Sequence, residues 1–207
     1  YAKSQETMAV AIEQARSRGF LGDNILDKGF DFDIEIYTGA GSYVCGEEFA
    51  LLVTIEGKSG RATYKPPFPT TMGLYDKPTQ INNVETFCNI PHIIGMGGKS
   101  FAEIGTESSK GTKLVCLSGN IKKPGLYEVP FGVTIRQIMQ DLGKGIPNNR
   151  KIKMVQLGGA SGPVIPETML DIPLDFNEMR KKGLAFGSGA VIVMDERIDV
   201  LDVLKRI

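Results

Sequence analysis

One histidine, three cysteines and no net charge are the scarcities that first narrow this 207-residue chain. With His92 alone, neither a His-based catalytic triad nor a multi-histidine metal site can be built. Cys45, Cys88 and Cys116 lie far apart, are odd in number and form no C-x-x-C. A disulfide framework, a zinc site or an iron–sulfur site made within the chain is not expected. Each cysteine reads instead as a small buried hydrophobe. His92, among Ile90, Pro91, Ile93 and Ile94, reads as a packed histidine. Lys and Arg total 24, as do Asp and Glu, so no overall field attracts nucleic acid or an acidic membrane. No apolar run approaches the ~18 residues of a membrane span. No signal peptide, internal repeat or low-complexity tract stands out. What remains is an ordinary globular composition, with length for one large or two small domains. The chain opens at Tyr1, directly into a helical pattern, as a fragment would.

The densest chemistry lies in GAGSYVCGEE, Gly39 to Glu48. It follows FDFDIEIY, whose alternation predicts a strand over Phe32–Tyr37. Gly39, Gly41 and Gly46 then imply a loop that backbone or ligand approaches closely. Glu47 and Glu48 open an apolar run, Phe49 to Leu52, that reads as helix from about Gly46 to Glu56. Strand, glycine loop and helix start with paired acids is how an α/β protein presents a site at a strand end. The dinucleotide fingerprint G-x-G-x-x-G is absent, because Val44 stands at its third glycine. Acids in a first turn also offset the helix dipole, by ~0.3–1 kcal/mol each. These ten residues therefore fit a ligand site and a decorated helix start equally well.

Elsewhere, Ser4 to Arg18 predicts a helix with Ser4 as cap, closed by Gly19 and Gly22. Lys58–Gln80, with Pro66, Pro67, Pro69 and Pro78, excludes regular helix or central strand. A loop this long in a compact domain is functional or disordered. Asn83 suits the N-cap of a helix through Val84, Glu85 and Thr86. Lys113–Ser118 and Gly125–Val129 predict a hairpin. Thr134–Leu142 predicts a helix with the capping box Thr134/Gln137. Lys151–Leu157 is a strand, and GGASGP (Gly158–Pro163) a loop, either a plain turn or a partner contact. Asp175–Lys182 is a short helix with a second box, Asp175/Glu178. Ala190–Met194 is a strand, and Ile198, Leu201 and Leu204 begin another helix. Hairpin, helix and further strands predict an α+β domain of β-grasp type.

These motifs are in family order: GFLGDNIL with GFDFDI, GAGSYVCGEE, KPPFP, GLYDKPTQINNVET, SGNIKKPGLYEV, GGASGP, PLDF and GSGAVIVMD. Through them the chain resembles the NADH-oxidising flavoprotein subunit of respiratory complex I. It equally resembles the diaphorase subunits of NAD-linked hydrogenases and formate dehydrogenases. The resemblance covers essentially the whole chain. It implies the C-terminal half of a Rossmann-like, α/β FMN-binding domain over 1–109. An α+β β-grasp (ubiquitin-like, SLBB-type) domain would follow over 110–196, and the start of a helical 4Fe–4S domain over 197–207. It implies FMN and NAD(H) as cofactors, and a 4Fe–4S cluster in the full-length subunit whose cysteine ligands are absent from this chain. Tyr43, Gly46, Glu47, Glu48, Ile81, Asn82, Asn83 and Thr86 would hold FMN, with Asn82, Asn83 and Thr86 at its phosphate. Glu48 would lie nearest the nicotinamide. Lys65 and Phe68 would meet the NADH pyrophosphate and adenine, by point charge and by ring face. Read without the family, Phe68 is an inward-packed residue of a proline-rich crossover. Phe49 departs from the family's usual Thr, and Ala62, Thr63 and Tyr64 replace a usual Pro-Arg approach to KPPFP.

The implied reaction is hydride transfer from NADH, with electrons passed on to iron–sulfur centres. The implied partners are further subunits of a complex I-like or hydrogenase-like assembly, especially a 2Fe–2S thioredoxin-like subunit. Nucleic acid and direct membrane insertion are not implied; a cytoplasmic location, peripheral on the inner membrane, is. The fragment itself would be inactive and flavin-free. A second class of reading is a non-catalytic β-grasp module that docks neighbouring subunits.

Overall fold

The computed structural model describes residues 1–159 and 161–205. They pack as two units divided between Asn83 and Val84. Among the described residues no helix is long and apolar enough to cross a membrane.

The first unit opens with α1 (Ala2–Ser17), a run free of Gly and Pro. Ser4 lies inside the helix and does not cap it; Tyr1 holds the N-cap position without a side-chain bond. Gly19, at φ +72°, turns the chain away, and Phe20 N donates to Ala15 O at 2.9 Å. Arg16 then grips the returning chain. Its guanidinium donates to both oxygens of Asp33 (3.0 and 2.9 Å) and to Ile34 O. Those bonds hold the Asp33 carboxyl below its ordinary range. The strand expected over Phe32–Tyr37 does not form. Phe32 makes one isolated bridge to Gly22, and the rest of the segment finds no ladder partner among the described residues. Alternation alone cannot hold a strand that has nothing to pair with.

α2 (Glu48–Ile55) buries Phe49, Ala50 and Leu52. The segment 58–80 is irregular but bonded to itself. Phe68 O accepts from Thr71 N and Met72 N, Thr79 N donates to Pro69 O, and Leu74 N donates to Thr79 Oγ1. Glu56 reaches across to accept from Tyr75 N at 2.8 Å and pairs with Lys58.

The second unit begins with α3 (Val84–Met96), which contains Pro91, and α4 (Gly98–Ala102). No residue of α3 is buried, so Cys88 and His92 are exposed, contrary to the packed roles expected of them. Five strands follow: β1 (Thr112–Gly119), β2 (Gly125–Pro130), β3 (Ile152–Leu157), β4 (Val164–Pro166) and β5 (Ala190–Asp195). Their order is β2-β1-β5-β3-β4, with β1 and β5 parallel and every other pair antiparallel. β4 is three residues long, too short to show a period in the sequence. The pleat decides the core. Val115, Leu117, Val129, Val155, Leu157, Ile165, Val191 and Val193 are buried on one face. Ile135, Ile138, Met139, Leu170, Leu174 and Met179 join them in a single apolar cluster. Cys116 lies on the opposite pleat of β1 and is exposed rather than buried. Cys45, in the first unit, is half-buried.

α5 (Ile135–Gln137) starts at the expected capping box. Gln137 N donates to Thr134 Oγ1, and Thr134 N to Gln137 Oε1. The helix then widens into a π-turn over Ile138–Leu142. It ends at Gly143, where a Cβ would lie 2.7 Å from Leu117 Cδ2 and 2.6 Å from Ile121. α6 (Phe176–Lys181) has half of its expected box. Asp175 Oδ1 accepts from Asn177 N and Glu178 N, but Glu178 pairs with Lys181 instead of returning to the cap. α7 (Val200–Leu204) is capped by Asp199.

Asp175 also fastens the strap that enters the sheet. Ser108 Oγ donates to its Oδ2 at 2.5 Å, as does Thr106 Oγ1, while Ser109 Oγ accepts from Phe176 N. Ser108 first, then Thr106, holds the buried carboxyl far below the usual carboxylate range. Lowering relative to the unfolded value of ~3.9 means the contribution is whole above about pH 4–5 and lost progressively as pH falls further. Asp175→Ala is expected to destabilise the second unit by about 2–4 kcal/mol. Urea unfolding at pH 7 and pH 3 checks it: the gap between variant and wild type must shrink at pH 3.

Candidate functional site

The glycine-rich segment tightens into a 3-10 turn, Tyr43–Gly46, directly before α2. Glu47 is the N-cap of that helix: its Oε2 accepts from Ala50 N at 3.0 Å. One of the paired acids is thus committed to the backbone. The other, Glu48, is the first helical residue and forms an ion pair with Lys65. Lys65 Nζ also lies 3.7 Å from Glu47 Oε1 and 5.8 Å above the Phe49 ring. The three charged side chains are each about one-third exposed (33–36%), so the cluster is reachable from solvent. The fold therefore unites Glu47, Glu48 and Lys65, which the sequence separates by a proline-rich loop.

Behind the acids, α2 is packed by small contacts. Thr54 Oγ1 donates to Ala50 O at 2.7 Å and lies 3.2 Å from Cys45 Sγ. Gly60 passes so close that a Cβ there would stand 2.8 Å from Thr54 Oγ1 and 2.9 Å from Cys45 Sγ. Gly46, by contrast, faces open space: a Cβ would meet nothing within 4 Å. Tyr43 is fully exposed. Phe68 is 55% exposed, which removes the inward-packed alternative. Ile81 is half-buried, while Asn82, Asn83 and Thr86 are exposed. Thr86 lies in the first turn of α3, a 13-residue helix.

Residues 1–92 match a family model described as the Nuo51 FMN-binding domain. The remainder is matched by relatives that align along nearly all of the chain. It is 48% identical over 195 residues to the NADP-reducing hydrogenase subunit HndC of Solidesulfovibrio fructosivorans, covering 94% of this chain and 40% of that protein. It is 44% identical over 207 residues to the F 2 subunit of the NADH-quinone oxidoreductase of Rhizobium meliloti (strain 1021), covering 100% of this chain and 49% of the relative. The first 92 residues are thus similar to the Nuo51 FMN-binding domain, and the chain along nearly all its length to subunits of such oxidoreductases and hydrogenases. Among solved structures, an air-oxidised NAD+-reducing NiFe-hydrogenase aligns with TM-score 0.72 at 38% identity, over 84% of this chain and 29% of that one. The chain thus spans about half the length of these curated relatives, or less.

Phe49, where the resemblance leads one to expect Thr, is buried and lies beneath Lys65. A cation over an aromatic face is attracted by the ring quadrupole, so the departure has a visible use in this chain. Sequence reasoning missed the Lys65–Glu48 pair, because residues 17 positions apart across irregular backbone carry no period.

The two glycines make opposite predictions. Gly60→Ala must push Thr54 or Cys45 aside and is expected to cost roughly 1–3 kcal/mol in denaturant unfolding. Gly46→Ala meets open space and is expected to change stability by less than about 1 kcal/mol. Equal losses at both positions would contradict this geometry.

Proposed function

We propose that the chain is the NADH- and FMN-contacting part of a flavoprotein subunit that oxidises NADH and passes electrons to iron–sulfur centres. The observation that carries the reading is the Glu47–Glu48–Lys65 cluster, at the glycine turn inside the segment matched by an FMN-binding family. The residues suit the cofactor. Gly46 leaves space for a flat ring, and Asn82, Asn83 and Thr86 offer carboxamide and hydroxyl groups beside a helix N-terminus, which favours phosphate. Tyr43, Gly46, Glu47, Glu48 and Ile81 would line the ring. Bound FMN would supply the hydride-accepting ring. Lys65 would give the NADH pyrophosphate a point charge, and the exposed Phe68 ring a stacking face for adenine. Glu48 would orient the nicotinamide.

The relatives include a quinone oxidoreductase and two hydrogenases. Membership of a multisubunit assembly of that kind, with a 2Fe–2S subunit adjacent and the complex peripheral to the cytoplasmic face of a membrane, is the reading adopted. The full-length subunit would carry the 4Fe–4S cluster, while the 207 residues alone would be inactive. In that subunit, Glu48→Gln should alter NADH turnover while flavin stays bound. Phe68→Ala should weaken NADH binding by roughly 1–3 kcal/mol, as loss of a base-stacking ring does. Stopped-flow and titration data showing wild-type behaviour in both variants would reject the reading.

A β-grasp assignment for residues 110–196 is supported by the sheet order, by the parallel β1–β5 pair and by an apolar cluster drawn wholly from that range. A Rossmann-like origin for residues 1–109 rests on the resemblance. Limited proteolysis tests this division: the first cuts should fall in 58–77 and 99–113, leaving a protected C-terminal piece. Survival of the N-terminal part alone would refute it.

A further inference from the structure

Two divisions of the chain disagree at α3. The FMN-binding match runs on to residue 92, whereas packing places α3, from Val84 onward, in the second unit. The first turn of this helix is therefore flavin-family sequence carried on the β-sheet unit. Glu85 fastens it there. One carboxylate oxygen accepts from Leu114 N at 2.8 Å, and the other pairs with Lys113 Nζ.

The sheet explains why β1 needs this acceptor. β5 meets β1 only from Cys116↔Ala190 onward, and Cys116 N donates to Gly189 O at 2.9 Å. Leu114 N points to the same side of β1, two residues before that ladder starts. Glu85 supplies the oxygen that a longer β5 would have supplied. Lys113 is 15% and Glu85 28% exposed in this pair, so the clasp is partly shielded from solvent. An acid in a first helical turn ordinarily turns its charge on its own helix dipole. Here the charge is drawn onto the strand and matched by a lysine.

We propose that Glu85, together with Lys113, is a positioning residue for the flavin phosphate. Glu85 fixes the first turn of α3, and with it Thr86; Lys113 cancels a charge that would otherwise repel a phosphate dianion. The inference rests on the proposed assignment of Thr86 to that phosphate.

The experiment titrates the flavin-stripped full-length subunit with FMN and with riboflavin, which lacks the phosphate, and records thermal unfolding of each variant. Wild type should prefer FMN. Glu85→Ala and Lys113→Met should each weaken FMN by about tenfold or more while leaving riboflavin within about twofold. Glu85→Gln, uncharged but still able to accept from Leu114 N, should keep the preference, and Glu85→Gln in the Lys113→Met background should restore it. The positioning role is overturned if Glu85→Ala and Lys113→Met retain wild-type preference. It is equally overturned if both flavins are lost in step with a fall in unfolding temperature. If wild type itself binds the two flavins alike, the Thr86 assignment falls first and the role of Glu85 with it.

Discussion

A backbone amide at the end of a helix or strand has no partner in its own element, and leaving it dry costs more than a hydrogen bond returns. In this chain carboxylates meet that cost. Glu47 accepts from Ala50 N, Asp175 from Asn177 N and Glu178 N, Asp199 from Leu201 N, and Glu85 from Leu114 N. Much else depends on these four. Once Glu47 is spent on the α2 backbone, Glu48 is left for Lys65, and the proline-rich loop gains its attachment to the helix start. Once Asp175 has taken the α6 amides, its second oxygen is left for Ser108 and Thr106, and the strap into β1 is fixed.

This division of labour explains why adjacent acids were ambiguous in the sequence. EE at a helix start fits dipole compensation and a ligand site alike, and the structure separates the two residues. Glu47 is the cap, and Glu48 faces the lysine and the solvent. The family resemblance was legible in the motifs themselves, because glycine turns, proline runs and paired acids recur only where several constraints coincide. The sheet was legible for a simpler reason. Val115, Leu117, Val129 and Val191 alternate with exposed or half-exposed neighbours, so period and burial agree there.

Most of what could not be read depends on partners distant in sequence, and the rest on a local competitor. Phe32–Tyr37 has the period of a strand but, among the described residues, finds no ladder beyond a single bridge. Cys116 is apolar enough for a core but sits on the wrong pleat. His92 and Cys88 occupy an apolar stretch that becomes a helix with no buried face. The Glu178 half of the second capping box was lost to a competitor one helical turn away, Lys181. Local rules state what a side chain is able to do, and the tertiary structure decides which offer it takes.

The same competition governs the candidate site. Lys65 has three attractions at once: Glu48, Glu47 and the face of Phe49. Two carboxylates against one ammonium leave the cluster with a surplus negative charge. A bare phosphate would be repelled by acids so placed, and under the proposed reading the lysine would make the approach of an anionic nucleotide compatible with them. Glu48 is matched by Lys65, and would share that cation with a pyrophosphate when a nucleotide enters. Placing the acids at a capped helix start confines the conflict to two movable side chains, because Glu47 is held by the backbone and only Lys65 and Glu48 are left to rearrange.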